Sequence, residues 1–399
     1  MIPGLAKKGV SDVDISGKRV FLRVDFNVPL DSDGNILDDT RIVAHLETIN
    51  YLLSNGARLV VASHFARPKG KVVPSMSLAP VAKRLNELLK GEVRFVNDCV
   101  GPDVESAVAQ LKEGELLLLE NTRFKPGETK NDPEFAKQLA MLCDVYVDDA
   151  FSAAHRAHAS VAEIAKYVPT AAQGFLMEKE IFYLGKLTEA PQQPFVVVLG
   201  GAKVKDKIGL IKSLVGKVDT MTIGGGMCFT FLKAKGLSIG DSLLDEANLE
   251  SVANVLDEAE SMGTSILLPV DVVVAKEVAD DAETSLVPVD KIPDGKMGLD
   301  IGPETTKLFA SAIETAGTVF WNGPMGVFEK PAFAAGTIGI AKAVAAASAT
   351  TTIGGGETVS AVKMAGVADS ITHISTGGGA SLEFLAGETL PGIAALDDL

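Results

Sequence analysis

Short β-branched runs alternate with helical patterns along almost the whole chain, and that alternation leaves few folds open. In the first half the strand-like runs are Arg19–Asp25 (RVFLRVD), Arg58–Ser63 (RLVVAS), Glu92–Val96, Glu115–Leu119 and Asp144–Val147. Between them, Leu78–Leu89 carries leucines and alanines at helical spacing, and Pro133–Leu142 stands behind Asp132 as its N-cap. In the second half strands are expected at 195–199, 218–223, 265–268, 318–321, 350–353 and 371–374. Helices between them end at glycine: Asn248–Met262 before Gly263, and Thr305–Ala316 before Gly317. Such alternation predicts the α/β class with doubly wound parallel sheets. At 399 residues the chain exceeds the usual size of one core, so two such Rossmann-like domains are expected.

Composition places the join. All nine arginines lie between Arg19 and Arg156, whereas 27 of the 39 glycines lie from Gly200 onward. Between the two regimes, Pro169, Gly174, Gly185, Pro191 and Pro194 punctuate one helix-like run, Leu176–Leu187, of a length suited to a connection between domains. The expected layout is a first domain at 1–172, a linker helix at 173–190 and a second domain at 191–387. Arginine forks suit planar phosphates and carboxylates, and glycine turns suit close backbone contact with a nucleotide, so the halves look built for different ligands.

Charge and cysteine usage narrow the partners. A formal net charge of −15 argues against nucleic acid. Cys99, Cys143 and Cys228 are widely spaced and odd in number, which reads as buried small hydrophobes in a reducing compartment, with no metal or disulfide spacing. The segment MIPGLAKKGV lacks a cleavable apolar core, and no apolar run reaches the roughly 18 residues of a membrane helix. A cytoplasmic protein with no membrane partner is expected.

In doubly wound sheets ligands bind at the carboxyl ends of the strands. Asp25 and Asn27 follow the first strand, His64 and Arg67 the second, Asn121 and Arg123 the fourth, and Asp149 to His158 the fifth, while Arg41 opens a helical run. For any one of these residues alone a structural role is the safer reading. The convergence of His64, Arg67, Arg123, His155, Arg156 and Arg41 on one edge points to a pocket for a small, strongly anionic molecule.

In the second half, PFVVVLGGAKVKDKIGLIK (Pro194–Lys212) joins a buried strand to a glycine turn with Lys203, Lys205 and Lys207. Amides at a helix start plus ammonium groups make an anion site, although a solvated lysine cluster fits the same residues. Further glycine turns follow at Gly224–Gly226, at 322–326 (NGPMG), at Gly354-Gly355-Gly356-Glu357-Thr358 and at Gly377–Gly379. Five such turns on one edge suggest a large flat ligand against bare backbone. No Walker P-loop and no G-x-G-x-x-G fingerprint occurs, which disfavours a P-loop ATPase and a standard dinucleotide enzyme. A covalent serine mechanism is not expected. Glu357 stands at a helix start, where it fits either a cap or a Mg²⁺ ligand beside phosphate oxygens.

Taken together, VFLRVDFNVPL, SHFARPKGK, ENTRF, DDAFSAAHRAHAS, GGAKVKDKI, LDIGPET, WNGPMGVFE, GGGET and STGGGASLE closely resemble, in order and spacing, the signature segments of the phosphoglycerate kinase family. The resemblance implies two domains closing on a hinge, and Mg²⁺-dependent phosphoryl transfer between 1,3-bisphosphoglycerate and ADP, giving 3-phosphoglycerate and ATP. It places phosphoglycerate on Asp25, Phe26, Asn27, Arg41, His64, Arg67, Arg123 and Arg156. It places the nucleotide on Lys203, Lys207, Gly224, Gly225, Gly226, Asn322, Glu329 at the ribose, Gly355, Gly356, Glu357 and Thr358, with Glu357 also at the metal. Arg41, Lys203, Gly378 and Gly379 are implied at the transferring group. It further implies a monomer, and a C-terminal tail, about 388–399, that returns to the first domain. Four departures stand out: Ala66 where the family usually has glycine, Ser152 and Ala153 where Gly-Thr is common, an added charge at Lys205, and Glu357 in place of an aspartate. A dehydrogenase with an atypical cofactor turn and a non-catalytic two-domain binding protein are the alternatives. The first would show nicotinamide absorbance changes; the second would bind phosphoglycerate without phosphate exchange.

Overall fold

The computed structural model describes residues 6–399; residues 1–5, which open the expected first domain and the segment read for a leader, lie outside them. The chain divides into two compact units, Met1–Phe182 with Thr389–Leu399, and Tyr183–Glu388. The division falls inside the helix Phe175–Glu189, so the helix expected as a linker is shared between the units.

The first unit is built on six parallel strands: β1 (Arg19–Val24), β2 (Arg58–Ser63), β3 (Val93–Phe95), β4 (Leu116–Leu118), β5 (Val145–Asp148) and β6 (Ala171–Gln173), in spatial order β3-β4-β2-β1-β5-β6. Their side chains alternate between two buried faces, as a parallel sheet covered by helices requires. Val20, Leu22 and Val24 join Leu59, Val61, Val145 and Val147 in one core. Phe21 joins Val60, Ala62, Leu117 and Tyr146 in the other. The chain runs outward from β1 through β2 to β4 and β3, then returns to add β5 on the far side of β1, so the winding reverses between β1 and β5. That reversal opens a crevice at the carboxyl ends of the two strands. The tail belongs to this unit: the Gly392 amide donates to the Ala154 carbonyl at 2.8 Å, the Asp397 amide to Ala171 at 2.9 Å, and Ile393 and Leu396 are buried.

The second unit repeats the plan. Strands β7 (Phe195–Leu199), β8 (Thr220–Ile223), β9 (Ser265–Leu267), β13 (Thr318–Asn322), β14 (Thr350–Gly354) and β15 (His373–Ser375) form a parallel sheet in the order β15-β14-β13-β7-β8-β9. Val196, Val198, Val319, Trp321 and Ile353 pack on Phe309, Ile313, Ile340 and Val344 from its helices. Here the winding reverses between β7 and β13. A small antiparallel sheet, β11-β10-β12, is formed by β10 (Asp271–Ala275), β11 (Ser285–Pro288) and β12 (Met297–Ile301), and was not anticipated from the sequence.

Helix ends follow their caps. Asp132 accepts the Phe135 amide at 2.9 Å and starts Pro133–Ala140. Leu249–Met262 closes on Gly263 at φ 78°. Pro303–Glu314 begins two residues before the expected Thr305, because proline suits the first helical position, and is capped at Thr315 instead of running on to Gly317. All three cysteines are free and buried. Among the described residues no helix is long and apolar enough to cross a membrane.

Candidate active site

In the first unit, the loops leaving β1, β2, β4 and β5 bring the acidic and basic side chains together. Asp25, just past β1, is buried; its Oδ2 accepts from Arg41 Nη1 at 2.6 Å and from Ser152 Oγ, and its Oδ1 accepts the Asn27 amide at 3.0 Å. Burial works to raise the Asp25 carboxyl, but the Arg41 guanidinium and the bonds from Ser152 and Asn27 outweigh it and hold it below the usual carboxylate range.

Behind Asp25 its backbone amide donates to His45 Nε2 at 3.0 Å, so the ring proton sits on Nδ1, donated to Asp149 at 2.8 Å. Asp149 in turn accepts the Leu176 and Met177 amides at the start of the helix Phe175–Glu189. Phe26 is fully buried, and its amide donates to Ser63 Oγ at 2.8 Å.

His64 is fixed from the other side. Arg23, fully buried, approaches His64 Nδ1 at 3.2 Å through Nη2; a guanidinium can only donate, so His64 carries its proton on Nε2, 3.9 Å from Asp25. Burial pulls the His64 pKa down, despite Asp25, and keeps the ring neutral. Arg23 is itself anchored through Ser160 (2.8 Å) to the buried carboxylate of Glu128 (2.6 Å).

Beyond this cluster Arg67, Lys69, Gly70, Arg123, Pro126, Thr129, Lys130, Arg156 and His158 line a cleft of about 670 Å³. Arg123 donates Nη1 to the Ala66 carbonyl at 2.7 Å, while its buried Nε has no partner among the described residues. Burial, then Arg156 and Arg23 nearby, pulls the Arg123 pKa down to about 10, and burial, then Arg123, Arg23 and Arg156, pulls His158 to about 3. A cavity that penalises its own positive charges is poised for an anion. The sequence reading found the arginines but missed Lys69 and Lys130, although RPKGK and KPGETK carry these lysines in glycine-proline loops. It also missed Arg23 and His45, which sit in apolar runs and look like core interruptions.

In the second unit Gly200, Gly201, Ala202, Lys203, Asp206, Lys207, Asn322, Gly323, Gly355, Gly356, Glu357 and Thr358 line a cleft of about 400 Å³. It lies where the winding reverses, between the ends of β7 and β13. Lys207 Nζ donates to the carbonyls of Gly200 and Asn322, both at 2.6 Å, and burial lowers its pKa to about 8 against the pull of Glu357 and Asp206. Asn322 Nδ2 donates to Gly354 at 2.7 Å, and Thr358 Oγ1 accepts the Gly323 amide at 2.7 Å, so the turns after β13 and β14 are locked together. Glu357 is exposed in the first turn of the helix Gly356–Met364.

The glycines split into two kinds. A Cβ on Gly200 would lie 2.1 Å from the Pro324 carbonyl oxygen, and one on Gly225, at φ 64°, would lie 2.6 Å from the Gly201 nitrogen. Gly200 and Gly225 are therefore required by the packing of one turn on the next, and Gly224, Gly225 and Gly226 do not line the cleft. Glu329, exposed, and Gly378 and Gly379, at the start of the helix Gly379–Leu385, also lie outside its lining. Gly236-Leu237-Ser238-Ile239-Gly240 matches the nucleophile-elbow spacing, a motif the sequence reading passed over. It follows the helix Cys228–Ala234 and starts no other, so it lacks the strand–turn–helix context that activates such a serine.

Comparison with known proteins agrees with this geometry. The family model described as phosphoglycerate kinase matches residues 10–388. The chain is 56% identical over 394 residues to phosphoglycerate kinase of Moorella thermoacetica, covering 99% of this chain and 100% of that protein. It is 55% identical over 392 residues to the cytosolic enzyme of Nicotiana tabacum, covering 98% of each. The solved structure of phosphoglycerate kinase from Coxiella burnetii superposes with a TM-score of 0.89 at 41% identity, covering 98% of both chains. With the family model spanning nearly the whole sequence and relatives of full length above half identity, the chain belongs to the phosphoglycerate kinase family.

Proposed function

We propose that this kinase, which acts on the carboxyl group of 3-phosphoglycerate, moves the phosphoryl group directly between 1,3-bisphosphoglycerate and ADP, in line and without a covalent enzyme intermediate. The observation that carries the reading is the pairing of a cation-lined cleft on the first unit with a glycine-walled cleft holding Lys203 and Lys207 on the second. A loose phosphoryl transition state needs positioning and charge neutralisation more than proton chemistry, and these clefts offer both.

On the first unit Arg67, Arg123 and Arg156 would neutralise the acid's phosphate, while Asp25, Phe26, Asn27 and the His64 Nε2–H would orient its carbon chain. Arg41 would face the transferring group. On the second, Lys207 would hold nucleotide phosphate and Lys203 the transferring group, with Asn322, Gly355, Gly356 and Thr358 along the nucleotide and the Gly378–Gly379 amides beside it. Gly224–Gly226 and Glu329 would complete the base and ribose contacts. Because the acid and nucleotide sites are on separate units, transfer needs the two brought together in the reacting state. The helix Phe175–Glu189 is the proposed hinge, in a monomeric cytoplasmic enzyme.

Among the described residues no three His, Cys, Asp or Glu side chains cluster as a metal cage. A single exposed carboxylate on a phosphate cleft is what Mg²⁺ uses when nucleotide oxygens and water complete its shell, so Glu357 fits that role. The ion would supply neutralisation of phosphate charge. Glu357→Ala is expected to raise the Mg²⁺ needed for half-maximal turnover; an unchanged requirement contradicts the assignment.

The direct test is Arg41→Ala. Removing one preorganised donor should lower kcat by about 10²–10³ while changing ADP affinity less than about twofold. Loss of nucleotide affinity with an unchanged rate contradicts the role.

A further inference from the structure

The turn after β5 reaches across the sheet edge to the Arg41–Asp25 pair. Ser152 lies in the short turn Phe151–Ala153, and its hydroxyl donates to Asp25 Oδ2, the same oxygen that accepts Arg41 Nη1. The Asp25 side chain is only 7% exposed and that of Arg41 is 42% exposed. Asp25 has no spare access to water, while the guanidinium keeps its outer edge open. Ala153 beside it is buried against Ala150 and Val161, so Ser152 supplies the hydroxyl of that turn.

An unencumbered carboxylate and a guanidinium prefer a two-pronged pairing, which uses two donors and turns the fork onto the acid. Here Oδ1 is taken by the Asn27 amide and Oδ2 is shared with Ser152, which leaves Arg41 a single point of attachment.

We propose that Ser152 is a positioning residue for Arg41: by occupying Asp25 Oδ2 it holds Arg41 end-on through Nη1 and keeps the remaining guanidinium donors for the anionic substrate. The hydroxyl also ties the segment that carries Arg156 to the end of β1, so that both arginines are referred to one carboxylate. This rests on the reading of Arg41 as a substrate-facing residue.

The test is steady-state kinetics with 3-phosphoglycerate and ATP on the full chain, comparing Ser152→Ala, Ser152→Gly, Ser152→Thr, Arg41→Ala and the Ser152→Ala/Arg41→Ala pair. Loss of a hydrogen bond to a charged group should lower kcat for Ser152→Ala by about tenfold with KM for ATP unchanged. Ser152→Thr, which keeps the hydroxyl, should restore the rate. In the Arg41→Ala background Ser152→Ala should cost nothing more. Should Ser152→Ala fail to fold, Ser152→Gly serves in its place. If Arg41→Ala is slow while Ser152→Ala and Ser152→Gly keep the parental rate, the inference fails and the Arg41 reading stands. An equal loss in both backgrounds shows that Ser152 only supports the loop, and also overturns it. If Arg41→Ala itself keeps the parental rate, the reading beneath falls, and the inference with it.

Discussion

Ala66 sits in the left-handed backbone region at φ 49°, where a Cβ crowds its own carbonyl. It is held there by the Asn27 side chain, which accepts its amide at 2.8 Å, and by Arg123, which donates to its carbonyl at 2.7 Å. Ala66→Gly should therefore stabilise the protein by about 1 kcal/mol, read as a higher urea midpoint, because glycine meets no such penalty. A lower midpoint would show that the loop is not strained. Lys207 gives a second prediction. Burial lowers its pKa to about 8, so in the free enzyme the ammonium is lost as pH rises through that value. If the charged form binds nucleotide phosphate, the dissociation constant for ADP should rise about tenfold from pH 7 to pH 9, and Lys207→Met should flatten that rise. At this scale the sequence showed which residue types would converge but not their partners. His64 and Arg123 are legible because they follow strand ends on the ligand-binding edge of the sheet, and Arg41 because it opens the helical run after the first strand. The buried chain from Glu128 through Ser160 and Arg23 to His64 is not, because it joins residues whose contact exists only after folding.

Among the elements, the end of β5 couples the sheet to the site. Asp148 and Asp149 are adjacent and buried in different surroundings. Asp149 accepts from His45 and two helix amides, whereas burial raises the Asp148 pKa to about 7 against the Ala150 amide and the Arg23 charge. A carboxyl whose folded pKa is raised stabilises the fold most below its unfolded value of 3.8, and that stability is lost as pH rises to about 7. Asp148→Asn should abolish this loss, so its melting temperature relative to the parent should climb between pH 4 and pH 7 and then level off. A constant difference across the range contradicts the assignment.

The central strands were legible for the reason they are stable: β7 is a continuous apolar run, β1, β2 and β5 are apolar but for Arg19, Arg23, Arg58, Ser63 and Asp148, and all four are buried on both faces. The antiparallel sheet was not. β11 (SLVP) is four residues long, and β12 (MGLDI) holds Asp300, a buried carboxylate that accepts the amide of its neighbour Ile301 and that of Gly336 from outside the strand.

For the whole molecule, the chain leaves the first unit within one helix and re-enters it at Thr389, so the last eleven residues complete a core begun at the start. Leu390, Ile393 and Leu396 are buried there, each contributing roughly 1.5–3 kcal/mol. Deleting residues 389–399 should lower the first unit's melting transition by calorimetry; an unchanged transition would show that the tail adds nothing to that core. The arginine–glycine asymmetry made the two-part plan readable, but the division between Phe182 and Tyr183, within a continuous helix, has no local sequence mark, because it depends on contacts that exist only after folding. The central claim is that the acid and the nucleotide are held on different units. Hydrogen–deuterium exchange with each ligand alone tests it most directly. 3-Phosphoglycerate should protect the loops around Asp25–Asn27, His64–Gly70, Asn121–Lys125 and Phe151–His158, and ADP those around Gly200–Lys207, Asn322–Met325 and Gly354–Thr358. Protection of the same unit by both ligands would contradict the account.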